Sequence, residues 1–163
     1  FPNACFYMQE SEMRYATGPC MCHHFLNHPY EVDDVVGMVR RTYAGKVSFC
    51  LGDRELFPGV TVHHIGGHSR GLQCVRVETK RGPVVLASDA SHLYQHFQTG
   101  RVFPTCDSVS DTAVGYQRLK ELAGRDSHIV PGHDPEVMSR YPAFSEQTAS
   151  FAVRLDEDER LPG

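Results

Sequence analysis

The chain has no tryptophan, and no apolar run in it approaches the ~20 residues that a membrane-spanning helix needs. It also lacks any Lys or Arg cluster longer than a pair, and its formal net charge is −4. A binder of phosphate backbones wants the opposite balance, so neither nucleic acid nor a membrane is expected as a partner. No stretch reads as a basic-headed signal peptide, and a cytoplasmic location is the expectation. The six cysteines do not form two Cys-x2-Cys pairs, which a structural zinc site of the common kind would show.

What is present suits one domain over residues 1–163, with 40% hydrophobic and 22% charged residues, enough to bury a core and too ordered in pattern for a disordered chain. The thiols Cys5, Cys20, Cys22, Cys50, Cys74 and Cys106 read as free, with Cys50 and Cys74 as small core residues. Cys20-Met-Cys22-His23-His24, with His28 close behind, is locally rich in metal-capable groups; it reads either as a metal cluster or as a loop near the mouth of a site.

Residues 4–8 read as a strand and Gln9 to Thr17 as a helix. Pro29 opens a second helix, with Val32, Val35, Val36 and Val39 on one stripe and Gly45 as its stop. From Val47 to Leu86 the period is that of strands, with turns at Phe57-Pro58-Gly59 and Lys80-Arg81-Gly82-Pro83. Val84 to Ala87 is apolar throughout, a strand buried on both faces. Ser110 or Asp111 caps a third helix carrying Tyr116, Leu119 and Leu122, and Ile129-Val130 is a last buried strand. The acidic tail from Asp156 to Glu159 reads as a solvated end. Helices and strands mixed in this way give a layered α/β or α+β domain.

Three segments each place a metal-capable side chain just past a strand. They are Gly66-Gly67-His68-Ser69-Arg70-Gly71-Leu72, then Val84-Val85-Leu86-Ala87-Ser88-Asp89-Ala90, then His128-Ile129-Val130-Pro131-Gly132-His133-Asp134. Glycines at 66, 67 and 71 permit a tight backbone around His68. A carboxylate at the end of a buried strand must find a cation or several donors, since an unpaired buried charge is costly. Taken singly, these residues are also what turns and helix caps use.

In this order the three segments resemble the hydrolases of the metallo-β-lactamase fold and, among them, the N-acyl homoserine lactonases. The resemblance runs from Phe1 to about Leu155 and implies the C-terminal part of an αββα sandwich. It implies His68 and His133 as ligands of two separate metal ions, and Asp89 as the carboxylate bridging them. Two Zn²⁺ are the expected ions, with Fe, Mn or Co possible. Asp134 would orient a ligand or a neighbouring loop. Enzymes of this type carry a tyrosine three residues after the bridging Asp, to hydrogen-bond the substrate; here that position is His92, and Tyr94 stands two residues further on. Either could stabilise the developing charge, with Tyr94 favoured.

The family's His-x-His-x-Asp-His motif does not occur in the sequence. The chain is therefore expected to be an N-terminally incomplete piece of such a domain, holding three of the ligands. The implied function is opening of the lactone ring of N-acyl homoserine lactones, with the lactone as a small-molecule partner and a homodimer as the assembly. Two other readings stand beside it: a hydrolase of another lactone or a thioester, and a metal-free domain that pairs with another chain. Phe25, Tyr30, Phe97 and Phe103 either line an apolar pocket or belong to the core.

Overall fold

In the computed structural model, residues 1–160 are described. The order of elements is β1 (Phe6–Gln9), α1 (Glu10–Ala16), α2 (His24–Asn27), α3 (Val32–Tyr43), β2 (Val47–Cys50), β3 (Arg54–Phe57), β4 (Val60–His64), β5 (Gln73–Thr79), β6 (Gly82–Ser88), α4 (Tyr94–Thr99), α5 (Val109–Ala123), β7 (Ile129–Pro131) and α6 (Glu136–Arg140). β1 and β2 pair in parallel as a small sheet. The second sheet runs β3-β4-β5-β6-β7, antiparallel up to β6 and parallel between β6 and β7. This is the layered mixture of helices and two sheets that the sequence pattern implies.

β6 is the spine. Val85 and Ala87 face α4 and α5, packing with Tyr94, Phe97, Tyr116, Leu119 and Ile129. Val84 turns the other way, onto Val130 and Tyr141, with Leu86, Val153 and Leu155 around them. Strand side chains alternate between faces, so a strand covered on both sides has to be apolar throughout. Cys50 and Cys74 are both core residues, as their surroundings in the sequence suggest.

Four local readings are corrected. The helix expected from Pro29 begins at Val32 with Glu31 as its N-cap, and Pro29 stays in the preceding loop. Its valine stripe is on one face but is not core, since Val32 is 74% exposed and Val36 is exposed too. The N-cap of α5 is Ser108, whose Oγ accepts the Asp111 N–H at 3.2 Å, rather than Ser110 or Asp111. The acidic tail, expected as a solvated end, keeps its carboxylates partly exposed but folds back onto the body: Glu157 pairs with Lys80 at 2.5 Å, and the Tyr141 hydroxyl donates to Glu159 at 3.3 Å.

Candidate metal centre

Asp89 follows directly on β6. The register of β6 against β7 shifts between Leu86 and Ser88, and Ser88 sits at φ 49, a left-handed conformation that a non-glycine residue adopts only when its surroundings impose it. The turn carries the carboxylate out of the sheet plane. The loop after β7 is then zipped against the loop after β6. Gly132 N–H donates to Ser91 carbonyl at 3.0 Å, and His133 N–H donates to His92 carbonyl at 3.0 Å. Asp134 completes the join, its Oδ2 accepting Tyr94 N–H and its Oδ1 accepting Glu136 N–H, each at 2.9 Å. Asp134 thus ties the loop after β7 to the start of α4.

His68 arrives from the other side, on the loop between β4 and β5. Gly66 and Gly67 take φ of 74 and 89, which lets the chain turn sharply ahead of the imidazole. At Gly71 a Cβ would lie 2.3 Å from Glu12 N, so α1 can approach this loop only because a glycine is there. Glu12 uses that closeness: its Oε2 accepts Ser69 Oγ at 2.7 Å and Gly71 N–H at 2.8 Å, and its Oε1 accepts the Tyr30 hydroxyl. Burial, and then this hydrogen bond to Glu12, push the Tyr30 phenol well above its ordinary pKa.

The result is one carboxylate ringed by three imidazoles. His133 Nε2 is 2.6 Å from Asp89 Oδ1, His92 Nε2 is 3.7 Å from the same oxygen, and His68 Nε2 is 3.9 Å from Oδ2. His68 Nδ1 lies 2.6 Å from Thr105 carbonyl, which can only accept, so Nδ1 carries a proton and donates it, leaving Nε2 as the nitrogen turned to Asp89. The His92 ring stacks on Phe103 at a centroid distance of 3.9 Å. Burial lowers the His92 pKa to about 4; Asp89 raises it, while the imidazoles of His133, His68 and His96 push it down further, so His92 is neutral near pH 7.

Among the described residues, Asp89, His92 and His133 form a group whose donor atoms lie within 4.8 Å of one another. Carboxylate and neutral imidazole are the donors that Zn²⁺ and its neighbours take, so the donor set fits such an ion. Cys20, Cys22, His23, His24 and His28 are not gathered with it. They occupy a 3₁₀ turn and α2, where the His24 and His28 rings stack 6.2 Å apart.

Tyr94 is the expectation the structure does not support. It is 3% exposed and part of the core, with the Arg140 guanidinium 3.8 Å from its ring centre. Its hydroxyl is buried without a hydrogen-bond partner among the described residues, and burial raises its pKa. Leu93 is the N-cap of α4, so His92 is still in the loop facing Asp89, while Tyr94 has already turned into the helix–sheet interface.

Beside His68 and Asp89 a cavity of about 320 Å³ opens, with Met8, Leu26, Pro29, Tyr30 and Leu72 among its lining residues and Glu12 in its wall. Of the four aromatics considered for a pocket, Tyr30 lines this one. Phe97 is core, Phe103 is the platform for His92, and Phe25 is exposed beside a smaller recess.

No family model matches the chain. Over 87 residues it is 40% identical to an N-acyl homoserine lactonase from a Bacillus species, an alignment covering 52% of this chain and 34% of the relative. Over 161 residues it is 29% identical to N-acyl homoserine lactonase AttM of Azorhizobium caulinodans, covering 88% of this chain and 54% of the relative. The fold superposes on a mutant of B. thuringiensis AiiA with N-decanoyl-L-homoserine bound at the active site, with a TM-score of 0.70 at 25% identity, over 88% of this chain and 52% of that one. The chain is a partial match to the lactonase-like hydrolases of the metallo-β-lactamase fold. It spans about half or less of the length of the curated relatives it matches. An N-acyl homoserine lactone hydrolase with N-hexanoyl-L-homoserine bound at its catalytic metal centre shares the fold over 85% of this chain, with a TM-score of 0.67 at 25% identity.

Proposed function

We propose that the protein carrying this chain is a metal-dependent hydrolase that opens the lactone ring of N-acyl homoserine lactones. The observation that carries this reading is the Asp89 carboxylate ringed by His68, His92 and His133 at the end of an apolar-walled cavity. Similarity to lactonases, including structures that hold an acyl homoserine product, supports the substrate class.

His68, Asp89 and His133 are the residues proposed to hold the ions, two Zn²⁺ in the complete site, with Fe, Mn or Co as chemically acceptable substitutes. When bound, such ions polarise a carbonyl and lower the pKa of water. The chain's own residues supply the frame. Thr105 holds the His68 ring with Nε2 toward Asp89, the backbone bond from His133 to His92 holds the two loops in register, and Glu12 keeps the His68 loop against α1. The cavity takes the acyl chain along Met8, Leu26 and Leu72, leaving the ring at the His68–Asp89 end. Hydrolysis adds one water across the ring ester: the carbonyl carbon gains the water oxygen as its bond to the ring oxygen breaks, one water proton goes to that oxygen as the alcohol, and the other is released as the new acid ionises to a carboxylate.

The test is ring opening of N-acyl homoserine lactones of varied chain length by the intact protein, beside simple esters and thioesters, before and after removal of metal by a chelator. Lactone turnover that a chelator abolishes and Zn²⁺ restores is expected. Turnover that resists chelation contradicts the metal role, and preference for a thioester contradicts the substrate.

A further inference from the structure

The His92 side chain makes no hydrogen bond among the described residues, although it lies in a cluster where every other group is engaged. Thr105 holds His68, and His133 is closed onto Asp89 at 2.6 Å. His92 instead rests flat on Phe103, whose ring fixes its plane, and its Nε2 stands 3.7 Å from Asp89 Oδ1. The His92 and His133 rings are 4.9 Å apart and nearly perpendicular, at 75°, so the two imidazoles converge on the same carboxylate without stacking on each other. Its backbone is as fixed as its ring, because the His92 carbonyl accepts the His133 N–H.

From this geometry we infer that His92 is itself a metal ligand, completing with Asp89 and His133 a three-donor site for a divalent cation such as Zn²⁺, with His68 at its edge. One carboxylate and two imidazoles are a ligand set that leaves coordination positions open for water and substrate. The site is formed wholly by two loops of this chain that the Gly132–Ser91 and Asp134–Tyr94 bonds clamp together. The inference rests on reading the Asp89 cluster as a metal centre and is independent of which ester the protein hydrolyses.

The test is the Zn²⁺ affinity of the full chain by competition with a chromophoric chelator, for the parent, His92→Phe, His92→Gln, Asp89→Asn and His24→Gln, with circular dichroism confirming that each is folded. The phenylalanine keeps the stack on Phe103, and the glutamine keeps polarity without the imidazole. Both are expected to bind Zn²⁺ at least about tenfold more weakly than the parent, the order of loss seen when the immediate support of a metal site is removed. His24→Gln, in the Cys20–His28 segment, should stay within about twofold. In the parent, Zn²⁺ should also shift the His92 ring-nitrogen resonances, a readout that needs no variant. Unchanged affinity in both His92 variants with a loss in Asp89→Asn overturns the role of His92 and leaves the metal centre standing. Unchanged affinity in Asp89→Asn as well overturns the metal centre and His92 with it. Absence of lactone hydrolysis in the metal-loaded parent, with the affinity losses in the His92 and Asp89 variants as expected, counts against the substrate alone.

Discussion

Glu12 is the residue whose replacement exposes how the His68 loop is held. Its carboxylate receives three donors, the Ser69 hydroxyl, the Gly71 N–H and the Tyr30 hydroxyl, from three separate stretches of chain. A hydrogen bond to a charged group contributes about 1.5–3 kcal/mol, and a donor left unsatisfied costs about 1–3 kcal/mol. Glu12 lines the cavity, so water can reach part of this network and reduce the loss. Glu12→Ala is therefore expected to destabilise the fold by about 2–4 kcal/mol, or ~5–15 °C in Tm for a domain of this size. Glu12→Gln keeps the shape: its carbonyl can face Ser69 and Gly71 while its NH₂ donates to the Tyr30 oxygen, so about 1–2 kcal/mol is expected. The chain has no tryptophan, so unfolding in urea is followed by far-UV circular dichroism, and Zn²⁺ affinity is measured on the same samples. Both should fall together in Glu12→Ala, because His68 precedes Ser69. An alanine variant within about 0.5 kcal/mol of the parent, or one that loses stability with no change in metal affinity, refutes the linkage between Glu12 and the centre.

Two further outcomes follow from the packing. Tyr94→Phe removes a buried hydroxyl that has no hydrogen-bond partner among the described residues and does not face Asp89, so hydrolysis should stay within about twofold and stability should hold or rise slightly; a tenfold fall in kcat would put that hydroxyl on the substrate after all. His128 is buried with Nδ1 donating to Pro83 carbonyl at 2.7 Å, and burial, with Arg81 and Arg125 nearby outweighing Asp158, lowers its pKa. A depressed histidine resists protonation in the folded state while the unfolded chain takes the proton near pH ~6.5, so its contribution is whole above that pH and is lost as pH falls through it. Resistance of the parent to urea should weaken as pH drops below that value, with a shallower dependence in His128→Gln; equal slopes would assign the acid sensitivity to other groups.

The elements that sequence pattern located are those where periodicity and burial agree. Val84 to Ala87 is apolar at every position because both faces of β6 are covered, and Ile129-Val130 pairs beside it. His68, Asp89 and His133 stood out because each comes just past a strand, and β4, β6 and β7 end at the same edge of the sheet; their roles as ligands came from the resemblance, not from position. Where the two signals part, the pattern misleads. The valine stripe of α3 has helical spacing, yet Val32 and Val36 are exposed, and spacing carries no information about what lies opposite a helix. Tyr94 against His92 was a question of where α4 begins: two residues change which side of the chain faces Asp89, and an N-cap at Leu93 leaves no local mark. Glu12 had no signal at all, since the residues it binds lie 18, 57 and 59 positions away.

The central claim is that the Asp89 cluster binds metal, and the direct measurement is elemental analysis of the purified chain and of Asp89→Asn after exhaustive buffer exchange. The account predicts about one zinc-like ion or more retained per parent chain and a marked loss in the variant, since no carboxylate then faces the imidazoles. Equal metal content in the two proteins, or none in either, would contradict it.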